Sequence, residues 1–143
     1  MCTVSALNEI TSRVVQAAKD GLGDKLHKVI LYGSYARGDQ DDESDIDIMV
    51  LADIPMEETN DAYDKISALL PYFSLEYDVL VSIHVTSKAT FYKYLKVLPF
   101  YQNVLKDGRV LCAFYVISKA ETAAQIENAK TFLAAVDAYI KTL

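Results

Sequence analysis

The chain has 143 residues, 52% hydrophobic and 24% charged, the length and balance of one globular domain with a buried core. Its net charge of −6 argues against a general DNA or RNA binder, which needs clustered Lys and Arg to neutralise phosphate. The longest apolar candidates, IMVLA and VLVSI, are strand-sized and far from the roughly 18 residues of a membrane span.

The start MCTVSALNEI lacks the basic and apolar segments of a signal peptide, so a cytoplasmic protein is expected. Val4, Leu7, Thr11, Val14, Ala18 and Leu22 recur at steps of three and four, predicting a helix over 4–20. Gly21 and Gly23 stop it. KVILYG (28–33) reads as a buried strand ending in glycine, and DIDIMVLA (45–52) as a second strand entering a core.

Pro55, Glu57 and Glu58 suit the first turn of a helix. Ala62, Tyr63, Ile66, Leu69, Leu70 and Phe73 make its apolar face, and Pro71 marks its end. EYDVLVSIHV (76–85) reads as a third strand, with Tyr77, Val79, Val81, Ile83 and Val85 on one face. Asp78, Leu80, Ser82 and His84 share the other. Ser87 suits the cap of a helix through FYKYLKVL, which Pro99 interrupts. A short helix, the Asp107-Gly108 turn and a last strand in RVLCAFYV follow.

Residues 119–143 form the clearest helix, with Ile126, Ala129, Leu133, Val136, Ile140 and Leu143 in a coiled-coil-like seam. Packing of that seam on the chain's own sheet is the expected arrangement. A docking surface for a partner helix, or oligomerisation through it, is the alternative. Cys2 and Cys112 have no metal-ligand spacing and read as free thiols.

The chemistry gathers in GSYARGDQDDESDID, residues 33–47. Asp45 and Asp47, two apart on a strand, point to one face with alpha carbons roughly 6.6 Å apart. Carboxylates so placed repel unless both are wet or a cation lies between them, and Mg²⁺ accepts one or two carboxylates plus phosphate oxygens. Gly33 lets backbone approach a ligand, and Ser34 can cap the short helix that follows. Arg37, one turn on, can reach a phosphate. No Gly-Lys-Ser/Thr follows, so this is not a Walker A loop. Asp78, if its strand lies beside Asp45–Asp47, makes a third carboxylate; three can hold two Mg²⁺ and accept a hydroxyl proton. The bland readings are a solvated strand start for Asp45 and Asp47, a turn residue for Asp78 and a loop ion pair for Arg37. Asp39, Asp41, Asp42 and Glu43 read as solvated spacer, and Ser44 as a brace of the turn. His84 reads as structural and His27 as a surface residue. Tyr32 and Tyr35 flank the Gly-Ser turn, where they could touch a base or ribose.

Gly33-Ser34, ten residues, then Asp45-Ile46-Asp47 resembles the signature of the polymerase-beta-like nucleotidyltransferases. LYGSYARGDQDDESDIDIMV, with the later LPFYQNVLKDGRVL, looks like the minimal "MNT" branch, and the resemblance covers about residues 28–112. It implies an α/β (α+β) fold, a small mixed sheet flanked by helices. The nucleotidyltransferase domain would span 1–113, with 114–143 a helical extension of the same domain. It implies that Asp45, Asp47 and Asp78 ligate Mg²⁺, with Asp78 also the base, and that Gly33, Ser34 and Arg37 hold the triphosphate of ATP. It further implies an antitoxin that moves AMP onto a tyrosine of a HEPN-family toxin. Neutralisation by binding alone, or transfer to a small molecule, are the alternatives.

Overall fold

A computed structural model describes residues 2–113 and 119–142. Helix α1 (Val4–Leu22) is capped by Thr3, whose side-chain oxygen accepts the Ala6 N–H. It ends at Gly23, whose φ of +57° glycine adopts without strain. Of the predicted stripe, Thr11, Val14, Ala18 and Leu22 are buried, joined by Ile10, while Leu7 is partly buried and Val4, in the first turn, is exposed.

Four strands form one mixed sheet in the order β3-β2-β1-β4: β1 (Leu26–Tyr32), β2 (Ile46–Ala52), β3 (Val81–Ser87) and β4 (Arg109–Ala113). β1 pairs antiparallel with β2 and β4, and β2 runs parallel to β3. A parallel pair needs a crossover, supplied by α3 (Thr59–Ser67) and α4 (Leu70–Tyr77). The central strands are covered on both faces, which is why they read as unbroken apolar runs. Val29, Leu31, Ile46, Ile48 and Val50 face a core shared with α1, α3 and α4. Ile30, Met49 and Leu51 face the opposite layer, α5 (Lys88–Tyr94) and α6 (Pro99–Asp107), through Phe91 and Val104.

Two elements differ from their sequence reading. Pro71 does not end the preceding helix; it occupies the first turn of α4, where its missing N–H costs nothing. Helix therefore runs through Tyr77, with Phe73 fully buried. The third strand begins at Val81 rather than Glu76, and Val81, Ile83 and Val85 keep the core face while Ser82 and His84 stay exposed. Alternation at 77–85 imitates a strand because the end of a helix and a real strand abut there.

Helix α7 (Lys119–Ile140) forms where the periodicity places it. Its seam is not packed on the sheet: Ile126, Leu133, Val136 and Ile140 are all exposed, as are Phe132 and Tyr139. The predicted strand end at 114–116 and the seam position Leu143 lie outside the described residues. No helix among the described residues is long and apolar enough to cross a membrane.

Phe73 is wholly enclosed, so Phe73→Ala is expected to cost about 3–5 kcal/mol in urea unfolding. Leu75→Ala, at a side chain 89% exposed on the same helix, should stay within about 0.5 kcal/mol of wild type.

Candidate active site

The site lies where β1 ends and β2 begins. Tyr32, the last residue of β1, is the cross-strand partner of Asp47. The chain then turns at Gly33 into the single-turn helix α2 (Ser34–Arg37), which Gly38 ends in the left-handed region at φ +81°. Gly33 is required twice. Its φ is +74°, and a Cβ there would collide with the Asp47 carboxylate. The Gly-Ser turn and the second aspartate are thus in direct contact.

Gly33, not Ser34, is the N-cap, and Ser34 is the first helical residue with no capping side-chain bond. The Gly33 carbonyl instead accepts the N–H groups of Ala36 and Arg37. The geometry that Ser34 was expected to create by capping is created by the glycine backbone.

Asp45 is exposed and lies just ahead of β2; Asp47 is half-buried inside it. Ile46 between them is fully buried, its N–H donating to the Leu80 carbonyl and tying the pair to the approach to β3. Burial pushes the Asp47 carboxyl above its ordinary range, the Asp45 charge adds to this, and Arg37 opposes both. The Tyr32 phenol is raised for the same reasons, burial first and the Asp47 charge second. Arg37 is engaged with the loop, its Nε 3.1 Å from Asp39 Oδ2. Both side chains are exposed, so the ion pair is weak and exchangeable with a phosphate.

The acidic loop is ordered by its own side chains. Ser44 Oγ donates to Asp41 Oδ1 at 2.8 Å and accepts the Asp41 N–H at 2.9 Å, while the Glu43 N–H reaches Asp41 Oδ1. These bonds hold the Asp41 carboxyl below its ordinary range. Ser44 therefore braces the turn that delivers Asp45.

Asp78 is not on a strand. It is the C-cap of α4, at φ +50°, the left-handed conformation that aspartate tolerates better than most residues. It lines a cleft of about 180 Å³ together with Cys2, Tyr35, Ser44 and Asp45. Among the described residues no group of three or more His, Cys, Asp or Glu side chains is placed to hold a metal ion. In register, the residue beside Asp47 on β3 is Ser82. The Asp45–Asp47 pair does fit one hard cation: a mutually repelling carboxylate pair, one half-buried, beside a glycine turn.

Tyr35 is buried, and its hydroxyl oxygen accepts the Cys2 N–H at 3.4 Å. His84 packs edge-on against Phe100, ring centroids 6.1 Å apart. Phe100 also packs on Tyr32 at 5.7 Å. Phe100 was not legible as a site neighbour, because only the folding of α6 over the Asp47 face of the sheet brings it there. His27 Nε2 is 3.3 Å from the Tyr92 hydroxyl.

This arrangement is that of a nucleotidyltransferase. A family model for the nucleotidyltransferase domain matches residues 12–112, and the chain belongs to that family. A Methanocaldococcus jannaschii protein named "Putative protein adenylyltransferase MJ0604" is 38% identical over 97 residues, 68% of this chain and 89% of that protein. The structure of "a putative nucleotidyltransferase from Sulfolobus solfataricus" shares the fold at TM-score 0.50 and 24% identity, over 77% of this chain and 82% of that one. A toxin–antitoxin structure with AMP-PNP is similar at TM-score 0.47 and 22% identity, over 92% of this chain and 95% of that one.

Two outcomes follow from this geometry. Gly33→Ala, which adds strain at positive φ and a Cβ against Asp47, should lower the melting temperature and reduce nucleotidyl transfer by more than about tenfold. The raised Asp47 pKa means that the folded state binds its proton more tightly than the unfolded chain. The stability it lends is present below the unfolded pKa, near 4, and lost as pH rises through the folded value. With EDTA present, Asp47→Asn should therefore melt above wild type at pH 7, and this advantage should vanish near pH 3.5 to 4.

Proposed function

We propose that this nucleotidyltransferase moves AMP from ATP onto a hydroxyl of a partner protein. The observation that carries the reading is the Asp45–Asp47 pair, with Asp47 set directly against the Gly33 turn. Asp45 and Asp47 would hold Mg²⁺, which when bound supplies charge neutralisation at the phosphates. The Gly33-Ser34 backbone would receive the triphosphate, with Arg37 exchanging Asp39 for a phosphate oxygen. The acceptor oxygen forms a bond to the α-phosphorus as the bond to the bridging oxygen breaks. Pyrophosphate leaves with that oxygen, and the hydroxyl proton passes to solvent or to a carboxylate of the site. Asp78, which lines a cleft together with Asp45, is one carboxylate that could receive it.

The name of the Methanocaldococcus relative supports a protein acceptor. The resemblance of the Gly33–Asp47 signature to the minimal branch supports a tyrosine of a HEPN-family toxin, and an antitoxin role for this chain. The exposed apolar seam of α7 favours a second reading, neutralisation by binding alone.

One experiment separates the two readings. The protein is incubated with α-labelled ATP, Mg²⁺ and the product of the neighbouring gene as candidate toxin, and growth protection is scored in parallel. Asp45→Asn/Asp47→Asn should abolish labelling of the toxin, a loss of at least about 10³-fold, together with protection. Equal labelling by wild type and variant would overturn the assignment of the site. Full protection by an unlabelling variant would establish the binding reading.

A further inference from the structure

The positive charge of this acidic chain is unevenly placed. Residues 88–106 carry four lysines, Lys88, Lys93, Lys96 and Lys106, and none of the twenty acidic residues of the chain. This segment is the whole of α5, α6 save its last residue, and their connection. It forms the layer that covers the sheet on the Asp47 face. The outer side of the layer combines charge with apolar surface. Lys93, Lys96 and Lys106 are exposed. Between them, Val97 is 67%, Leu98 41% and Phe100 45% exposed. Phe100 is where this surface meets the site, since its ring packs on Tyr32, the cross-strand partner of Asp47.

Resting on the reading of the site as a protein-directed transferase, we propose that the α5–α6 layer is the docking surface for the acceptor. Its occupant is an acidic protein segment with apolar side chains, delivered beside the acceptor hydroxyl. Charge complementarity argues for it, because Lys88, Lys93 and Lys96, with no acidic residue between Lys88 and Lys106, attract an acidic partner and speed its encounter. The aliphatic character argues for protein over nucleic acid. Val97 and Leu98 are natural contacts for apolar side chains, whereas a phosphate-tracking surface uses denser basic residues, and the segment has no arginine. Continuity argues for its place: a segment lying on Val97 and Leu98 reaches Phe100, and beyond Phe100 the Asp47 side of the sheet.

The test measures binding and chemistry separately. A fluorescently labelled random Glu–Tyr copolymer serves as the acidic, phenol-bearing probe, and a labelled single-stranded oligonucleotide as its competitor class. The intact chain should bind the copolymer in fluorescence anisotropy. Lys93→Glu/Lys96→Glu should weaken that binding at least about tenfold, and salt near 0.5 M should remove most of the difference. Val97→Ser/Leu98→Ser, which keeps every lysine, should weaken it several-fold at any salt. Asp45→Asn/Asp47→Asn should bind the copolymer at least as tightly as wild type. Failure of the transfer chemistry therefore leaves this result standing, and the reverse also holds. Copolymer binding unaffected by either surface variant, both folded by circular dichroism, would overturn the proposal. So would tighter, lysine-dependent binding of the oligonucleotide, which would mark the layer as a nucleic-acid surface.

Discussion

The pairing of the end of β1 with the start of β2 is the constraint on which the site depends. Tyr32 opposite Asp47 fixes where the chain can turn, and the turn has to pass over a carboxylate. The positive φ of +74° and the nearness of the Asp47 carboxylate both favour a residue without a side chain, and Gly33 is that residue. Everything else in the site is arranged around this contact. The ladder holds Asp47 half-buried, where its charge is costly alone and effective toward a cation or phosphate-bound metal. Asp45, one residue outside the ladder, remains in water and needs the Asp41–Ser44 brace to hold its approach.

That cost is met by burial elsewhere. The two central strands are apolar on both faces, with α1, α3 and α4 on one side and α5 and α6 on the other. A doubly covered sheet is rigid, so its end can hold two like charges close together without relaxing them apart. The same double cover explains the division of labour between layers. One layer supplies most of the core; the other is thinner, carries Phe91 and Val104 inward, and shows solvent its lysines and aliphatic side chains.

The acidic stretch between Arg37 and Asp45 proves to be a self-bonded connection. Asp39 occupies Arg37, and Asp41 is occupied by Ser44 and the Glu43 N–H. Two of its four acidic side chains are thus engaged within the connection itself, in keeping with its reading as spacer. Asp78 resolves differently from its sequence reading. A proline that could end one helix or begin the next began the next, and the aspartate became a left-handed helix cap. No local pattern distinguishes these outcomes, because Leu70, Phe73 and Tyr77 satisfy a helix while Tyr77, Val79 and Val81 satisfy a strand.

By itself, the sequence determined the elements whose signals are local and strong. These are α1 with its glycine stop, the two doubly buried strands, the long last helix, and the Gly33–Asp47 signature with its spacing. Each depends on periodicity or on residue types with special backbone freedom, which need no knowledge of neighbours. Tertiary structure alone decided what depends on register and packing. It set Ser82 rather than a carboxylate beside Asp47, buried Tyr35, and left the α7 seam exposed. It also folded the lysine-bearing α5–α6 layer over the face that holds Asp47. Those outcomes are set by which distant segments share a sheet and which face they cover, and a chain's pattern states that a face is apolar without stating what will meet it.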